Sequence, residues 1–338
     1  MNFLYFKKRP IKLLSAGLFV VLVLCLFLNI LNIIPLSEQR VVQTYRPNKI
    51  VEQASADLNT YDIQVDFSPE SKELTCKQTL EYKNLTQDTQ DRLFFHIYPN
   101  AFKYEERTPF PREDMSRAYP NGFTPGDIDI ISIEGENTTL NYLIRGYSEE
   151  VLEVHMPRAI LPGEDLTLSI EFKVNLPNCL GRFGYGDQTF NITNWYPILC
   201  VYDENGWNTY PYFPIGDPFY SQVANYRVRI ISPKDYKIAC TGSISSVEER
   251  GDKQIWDIEA FAVRDFAFVA SDKFVVAKKR VGKTTVYSYY FTPKVGKQAL
   301  KYAADAIGIF NKRFGEYPYS QFSVVEADFY IGGMEYPN

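Results

Sequence analysis

Residues 58–82 read LNTYDIQVDFSPESKELTCKQTLEY. Leu58, Tyr61, Ile63, Val65 and Phe67 return at close to a two-residue period; Leu74, Cys76, Thr79, Leu80 and Tyr82 do the same after a polar break. Successive side chains leave a strand on opposite faces, so this period predicts two strands, each with one buried face. Comparable runs at 92–98, 128–133, 139–145, 150–156 and 165–174 are separated by Pro, Gly and Asn. More follow at 223–231, 236–240, 254–259, 262–270 and 273–277. The expectation is a mainly-β domain over 57–278, built as a twisted sandwich or a large open sheet. No glycine-rich loop leads into a helix, so a nucleotide-binding fold has no support.

Outside this block the pattern changes twice. Lys7, Lys8, Arg9 and Lys12 precede an apolar run over 13–34 whose helix would be about 30 Å long, enough to cross a bilayer. The basic residues before it predict a single-pass anchor with segment 1–12 in the cytoplasm and the main domains outside the cell membrane. A cleaved signal peptide is the competing reading, but no small-x-small site follows the run. Residues 35–56 then read as a tether. At the other end, 284–291 alternates as a strand. Leu300, Ala303, Ala304, Ile307, Phe310 and Phe314 then keep the three-and-four spacing of an amphipathic helix ended by Gly315. A strand over 322–329 follows. Strand, helix, strand over 279–338 reads as the opening of an α+β domain whose remainder lies elsewhere.

The whole chain of 338 residues is 45% hydrophobic and 23% charged with a net charge of −5, which suits a globular protein. It suits a nucleic-acid partner poorly, since phosphate binding calls for concentrated Lys and Arg. Cys76, Cys179, Cys200 and Cys240 are too widely spaced for a compact metal site. Both free thiols and a disulfide, with Cys179–Cys200 the shortest closure, remain open. The histidines are His96 and His155, each in a strand-like run, and no His-Glu-x-x-His helix is present. Asp203, Glu204, Asp217, Glu326 and Asp328 have no spacing that pairs them as acid and base. Sequons stand at Asn84, Asn137 and Asn191. The stretch 183–220, rich in Pro, Gly and aromatics, reads as long structured loops of the kind that bind ligands.

The last stretch, FYIGGMEYPN at 329–338, places Gly332 and Gly333 side by side in a strand-like run. Each glycine weakens a strand, so a bare backbone there suggests close approach of another main chain, with Glu335 near the end of a bound peptide. A turn or bulge is the plainer alternative.

YIGGMEYP resembles the Gly-x-Met-Glu-Asn signature of the M1 zinc aminopeptidases, the gluzincin family that includes membrane alanyl aminopeptidase. FGEYPYSQFSVVEADF at 314–329 is similar to the segment leading into that signature, and VRDFAFVASDKF at 263–274 to the segment closing the family's β domain. Together these span about 55–338. The resemblance implies an M1-like N-terminal domain followed by the start of a thermolysin-like domain. It implies that Gly332, Gly333 and Met334 align a peptide substrate and that Glu335 takes its free α-amine. TNWYP at 193–197 would place Tyr196 at a second amine-holding position. Two departures stand out: Tyr336 replaces the usual Asn, and Tyr196 brings no negative charge. The family's zinc-binding helix and third ligand come after the signature. Zinc is therefore expected in the intact protein through a missing C-terminal catalytic region, and hydrolysis is not expected of 1–338 alone. A catalytically inactive, membrane-tethered β module that binds peptide, protein or glycan through the 183–220 loops is the alternative.

Overall fold

In a computed structural model, the structure describes residues 41–42, 48–216 and 218–337. The expected cytoplasmic segment 1–12 and anchor 13–34 lie outside the described residues, as do 35–40 and 43–47 of the tether. No helix among the described residues is long and apolar enough to cross a membrane.

The 58–82 alternation becomes the antiparallel strands Thr60–Ser68 and Glu73–Lys83, with Tyr61 opposite Leu80, Ile63 opposite Gln78 and Val65 opposite Cys76. Tyr61, Ile63, Val65 and Phe67 are buried while Asp62 and Gln64 face solvent, as a half-buried strand requires. These two strands sit inside a nine-stranded sheet. Its order is Val41–Val42, Ser243–Arg250, Lys253–Val263, Ala224–Pro233, Thr60–Ser68, Glu73–Lys83, Asp165–Asn175, Asp127–Gly135 and Thr138–Thr139. Ala224–Pro233 runs parallel to Thr60–Ser68, and the other pairings are antiparallel.

Two four-stranded sheets complete the β-rich part. One orders Phe183–Tyr185, Phe190–Ile192, Phe268–Ser271 and Lys237–Cys240; the other orders Ile198–Leu199, Gln90–His96, Val151–Ile160 and Tyr142–Arg145. One large core joins the sheets, centred on Phe67, Phe95, Phe172, Trp195, Tyr196, Tyr226 and Phe268. Tyr61 meets Tyr196 edge-on at 5.7 Å and stacks on Tyr226 at 5.0 Å, and Trp195 meets Phe268 edge-on at 5.8 Å. The four cysteines outside the apolar N-terminal run are buried free thiols.

Val275–Val281 and Thr284–Tyr290 form a hairpin, and Gln321–Val325 adds in parallel beside the second strand. Residue 278 thus lies inside a strand of this small sheet. The helix Pro293–Phe314 covers the sheet through Leu300, Ala303, Ala304 and Ile307. Three local differences from the sequence reading follow physical causes. Lys49–Ser55, read as tether, is helical, capped by the Asn48 side chain and held down by buried Val51. Phe310 and Phe314, read as core-facing, are exposed and pack on each other at 5.8 Å. The last strand ends at Val325 rather than 329, because the next residues bond outward to other parts of the fold.

Candidate functional site

The segment after Val325 is fastened by its own side chains and main chain. Glu326 accepts hydrogen bonds from the Phe291 and Thr292 amides at 2.9 and 3.0 Å and from the Thr292 hydroxyl at 2.9 Å. Burial disfavours its ionised form, but those donors outweigh burial and hold its pKa below the usual carboxylate range. Asp328 accepts from the Gln188 and Thr189 amides at 2.5 and 3.1 Å, in the turn between Phe183–Tyr185 and Phe190–Ile192. Its own amide donates to the Thr189 hydroxyl at 2.9 Å, and its carbonyl accepts from the Asn191 side chain at 2.8 Å. Gly186 makes room: a Cβ there would sit 2.4 Å from Asp328 Oδ2 and 2.6 Å from its Cβ.

Tyr330 continues the attachment. Its amide donates to the Leu180 carbonyl at 2.8 Å, and its carbonyl accepts from Arg117 Nη2 at 2.6 Å. Its ring meets Phe110 edge-on at 5.6 Å and lies under the Arg117 guanidinium. Burial pushes the Tyr330 phenol up.

After these anchors the chain turns outward. Residues 331–337 form no strand; Gly332, Gly333 and Glu335 are exposed and Met334 is half-buried. Neither glycine has the positive φ that would demand glycine. A Cβ at Gly332 would meet nothing within 4 Å, and one at Gly333 would meet only Glu335 Oε1, at 3.3 Å. Gly186 is thus required by packing within the described residues, while the Gly332–Gly333 pair is not.

Tyr196 occupies a different environment. It is fully buried, donates to the Tyr226 hydroxyl at 3.0 Å and accepts from the Phe266 amide at 3.4 Å. Burial drives its phenol far above the ordinary value, followed by the charge of Asp265. No hydrogen bond joins it to Glu335.

The latch residues Asp328, Asn191, Gly186 and Arg117 carry no signal readable in the sequence, because the partners lie between 137 and 213 residues apart. Asn191 stands in a sequon, yet it is buried with its amide committed to Gly181 and Asp328. Asn84 is likewise buried and donates to the Asp88 and Ile160 carbonyls; Asn137 is exposed. Among the described residues no three His, Cys, Asp or Glu side chains come together as metal ligands. His96 lies in the core and His155 is bonded to Glu153 at 2.9 Å. A zinc ion therefore finds no donor set in the described part of this chain.

No family model matches the sequence, and no curated protein does. Solved structures do. The M1 zinc metallopeptidase from Deinococcus radiodurans is 15% identical with a TM-score of 0.50, over 80% of this chain and 55% of its own. A mutant of the M1 zinc metallopeptidase from Deinococcus radiodurans bound to a Tyr-Ser-Ala substrate is 15% identical with a TM-score of 0.49, over 80% and 56%. A mutant two-domain M1 zinc metallopeptidase bound to L-arginine is 13% identical with a TM-score of 0.49, over the same shares. This chain spans just over half the length of the structures it matches. The β-rich part of this protein has a fold resembling the N-terminal domain of M1 zinc metallopeptidases.

Proposed function

We propose that the chain is the N-terminal part of a membrane-anchored zinc metallopeptidase that removes N-terminal residues from peptides. In this reading 57–278 is the β-rich domain and 279–338 opens a thermolysin-like catalytic domain. Residues 13–34 hold the protein in the cell membrane, with 1–12 inside and the domains outside.

One observation carries the reading: Gly332 and Gly333 are bare where the surrounding fold does not need them to be. A peptide lying along that stretch would use the cleared backbone for strand-like hydrogen bonds, with Met334 beside it. Glu335 would accept the peptide's α-ammonium group. A buried ammonium without a counter-charge is unfavourable, so a peptide presenting an internal amide there loses the contact, and exopeptidase action follows. Glu335 carries the amine contact alone, since the Tyr196 hydroxyl is committed to Tyr226 and the Phe266 amide. Asp328, Asn191 and Arg117 hold the approach to the signature in place. Zinc and its ligands would come from the catalytic half of the protein.

The test compares 1–338 with the protein extended through its downstream coding sequence. The extended protein should hold zinc and cleave aminoacyl amides, and 1–338 should do neither. Glu335→Gln in the extended protein should raise KM for substrates with a free N-terminus by about 10- to 100-fold, the worth of one charge-assisted hydrogen bond. N-blocked substrates should respond little. Equal kinetics for wild type and Glu335→Gln would remove the assigned role, and turnover by 1–338 would remove the need for a second half.

A further inference from the structure

A cavity of about 330 Å³ opens where the 57–59 approach, the 85–88 turn and the 199–207 loop meet, and no residue of 326–337 lines it. Tyr202 and Trp207 give it an aromatic wall, their rings edge-on at 5.2 Å. Trp207 Nε1 donates to Gln90 Oε1 at 3.2 Å and Tyr202 donates to Asp88 Oδ2 at 2.8 Å, so both rings are held in place.

The polar lining includes a donor left over from the fold. Asn59 is only 8% exposed, and its Oδ1 accepts from the Lys83 amide at 3.1 Å. Its Nδ2 has no hydrogen-bond partner among the described residues, although it belongs to a residue lining the cavity. That N–H group is open to the cavity and available to a ligand acceptor. Asp88 and Asp203 add acceptors, each with one oxygen committed to a protein donor and the other uncommitted. Gln222 adds an amide.

We propose that this cavity binds a neutral saccharide one or two rings long. A sugar hydroxyl both donates and accepts, so it can serve the Asn59 amide and the Asp88 and Asp203 carboxylates, while its C–H faces lie on Tyr202 or Trp207. An aliphatic ligand would desolvate those polar groups without compensation. An acidic sugar or a phosphate would face Asp57, Asp88 and Asp203 against Lys83, which is already 3.8 Å from Asp57. A basic peptide side chain suits the carboxylates but brings donors against the Asn59 donor. The volume lies at the lower end of ligand-sized pockets, which limits the occupant to a short oligosaccharide.

The experiment titrates the full chain, in a detergent without a sugar headgroup, with neutral disaccharides of glucose, galactose and N-acetylglucosamine, following the Trp207 indole N–H signal by NMR. At least one should shift that signal saturably while the Trp195 and Trp256 signals hold still. Asn59→Asp keeps the acceptor for the Lys83 amide and deletes the donor, and should weaken binding about tenfold or more. Trp207→Phe removes that reporter and is read instead by isothermal titration calorimetry with the same disaccharide; it keeps an aromatic ring in the wall and should weaken binding less. Undisturbed binding by Asn59→Asp overturns the proposal. So does a Trp207 signal that answers to none of the disaccharides, or only to an arginine-containing peptide.

Discussion

At the scale of single residues, His96 sets an acid limit on stability. It is buried and stacked on Tyr98 at 4.6 Å, and burial outweighs its contact with the Asn208 backbone, lowering its pKa to about 4. The unfolded chain therefore binds the proton more readily between about pH 4 and 6.5, so stability is full above that window and falls as pH drops through it. The loss amounts to about 3 kcal/mol by pH 4. Glu150, whose backbone meets Ile97, is pushed up by burial and acts in the opposite sense, so the wild-type profile is a difference of the two. His96→Leu should flatten the fall between pH 6.5 and 4 in urea denaturation. An unchanged slope would mean that another group is responsible. The Asp328 latch is testable at the same scale. Gly186→Ala forces a methyl against a fixed carboxylate, and Asp328→Ala removes the acceptor itself. Both should speed hydrogen exchange at the Gln188 and Thr189 amides with little change in global stability, because the latch lies outside the main core. Exchange as slow as in wild type would show that the turn holds without it.

At the scale of elements, Gly296 illustrates packing overriding propensity. It lies within Pro293–Phe314, where alanine is favoured by about 1 kcal/mol. A Cβ there would fall 2.0 Å from Tyr290 Cγ, and the Gly296 carbonyl accepts from Ser288 Oγ at 2.9 Å. Gly296→Ala should destabilise by about 1–3 kcal/mol, the usual range for overpacking, and much of that should return on a Tyr290→Ala background. A more stable Gly296→Ala protein would place the helix further from the sheet. The same contest explains what the sequence disclosed. Strands with strict alternation, such as Thr60–Ser68, were legible because one face meets the core. Ser243–Arg250 was not: its apolar residues are only Ile244 and Val247, with a register shift between Ile244 and Ser246 that breaks the period. The helix was legible from its spacing, yet spacing could not tell that Phe310 and Phe314 stay exposed while Ala304 and Ile307 face the sheet. The glycine pair and Glu335 were readable as a local motif. The latch behind them was not, since Asp328 and Gln188 become neighbours only through the tertiary fold.

At the scale of the whole molecule, the small sheet carries apolar surface that the proposed second half would cover. Gln321–Val325 is the edge of a three-stranded sheet. On the adjoining helix Tyr302 is 60% exposed, Phe310 55% and Phe314 81%. An open strand edge beside a row of exposed rings is a surface on which further chain can fold, and one that promotes self-association when bare. With residues 1–34 removed from both proteins so that the apolar run does not contribute, the chain ending at 338 should therefore bind a hydrophobic dye and associate as concentration rises. The extended protein should do neither, and its amides in 321–325 should exchange more slowly. Replacing Tyr302, Phe310 and Phe314 by Glu or Lys separates the two roles of this surface: 1–338 should become less prone to associate, because these rings are largely exposed and none belongs to a buried cluster. The extended protein should be destabilised, because the same rings would then be buried against the downstream domain. If the triple replacement leaves the extended protein as stable as before, the helix face is free in the intact molecule and the second half packs elsewhere.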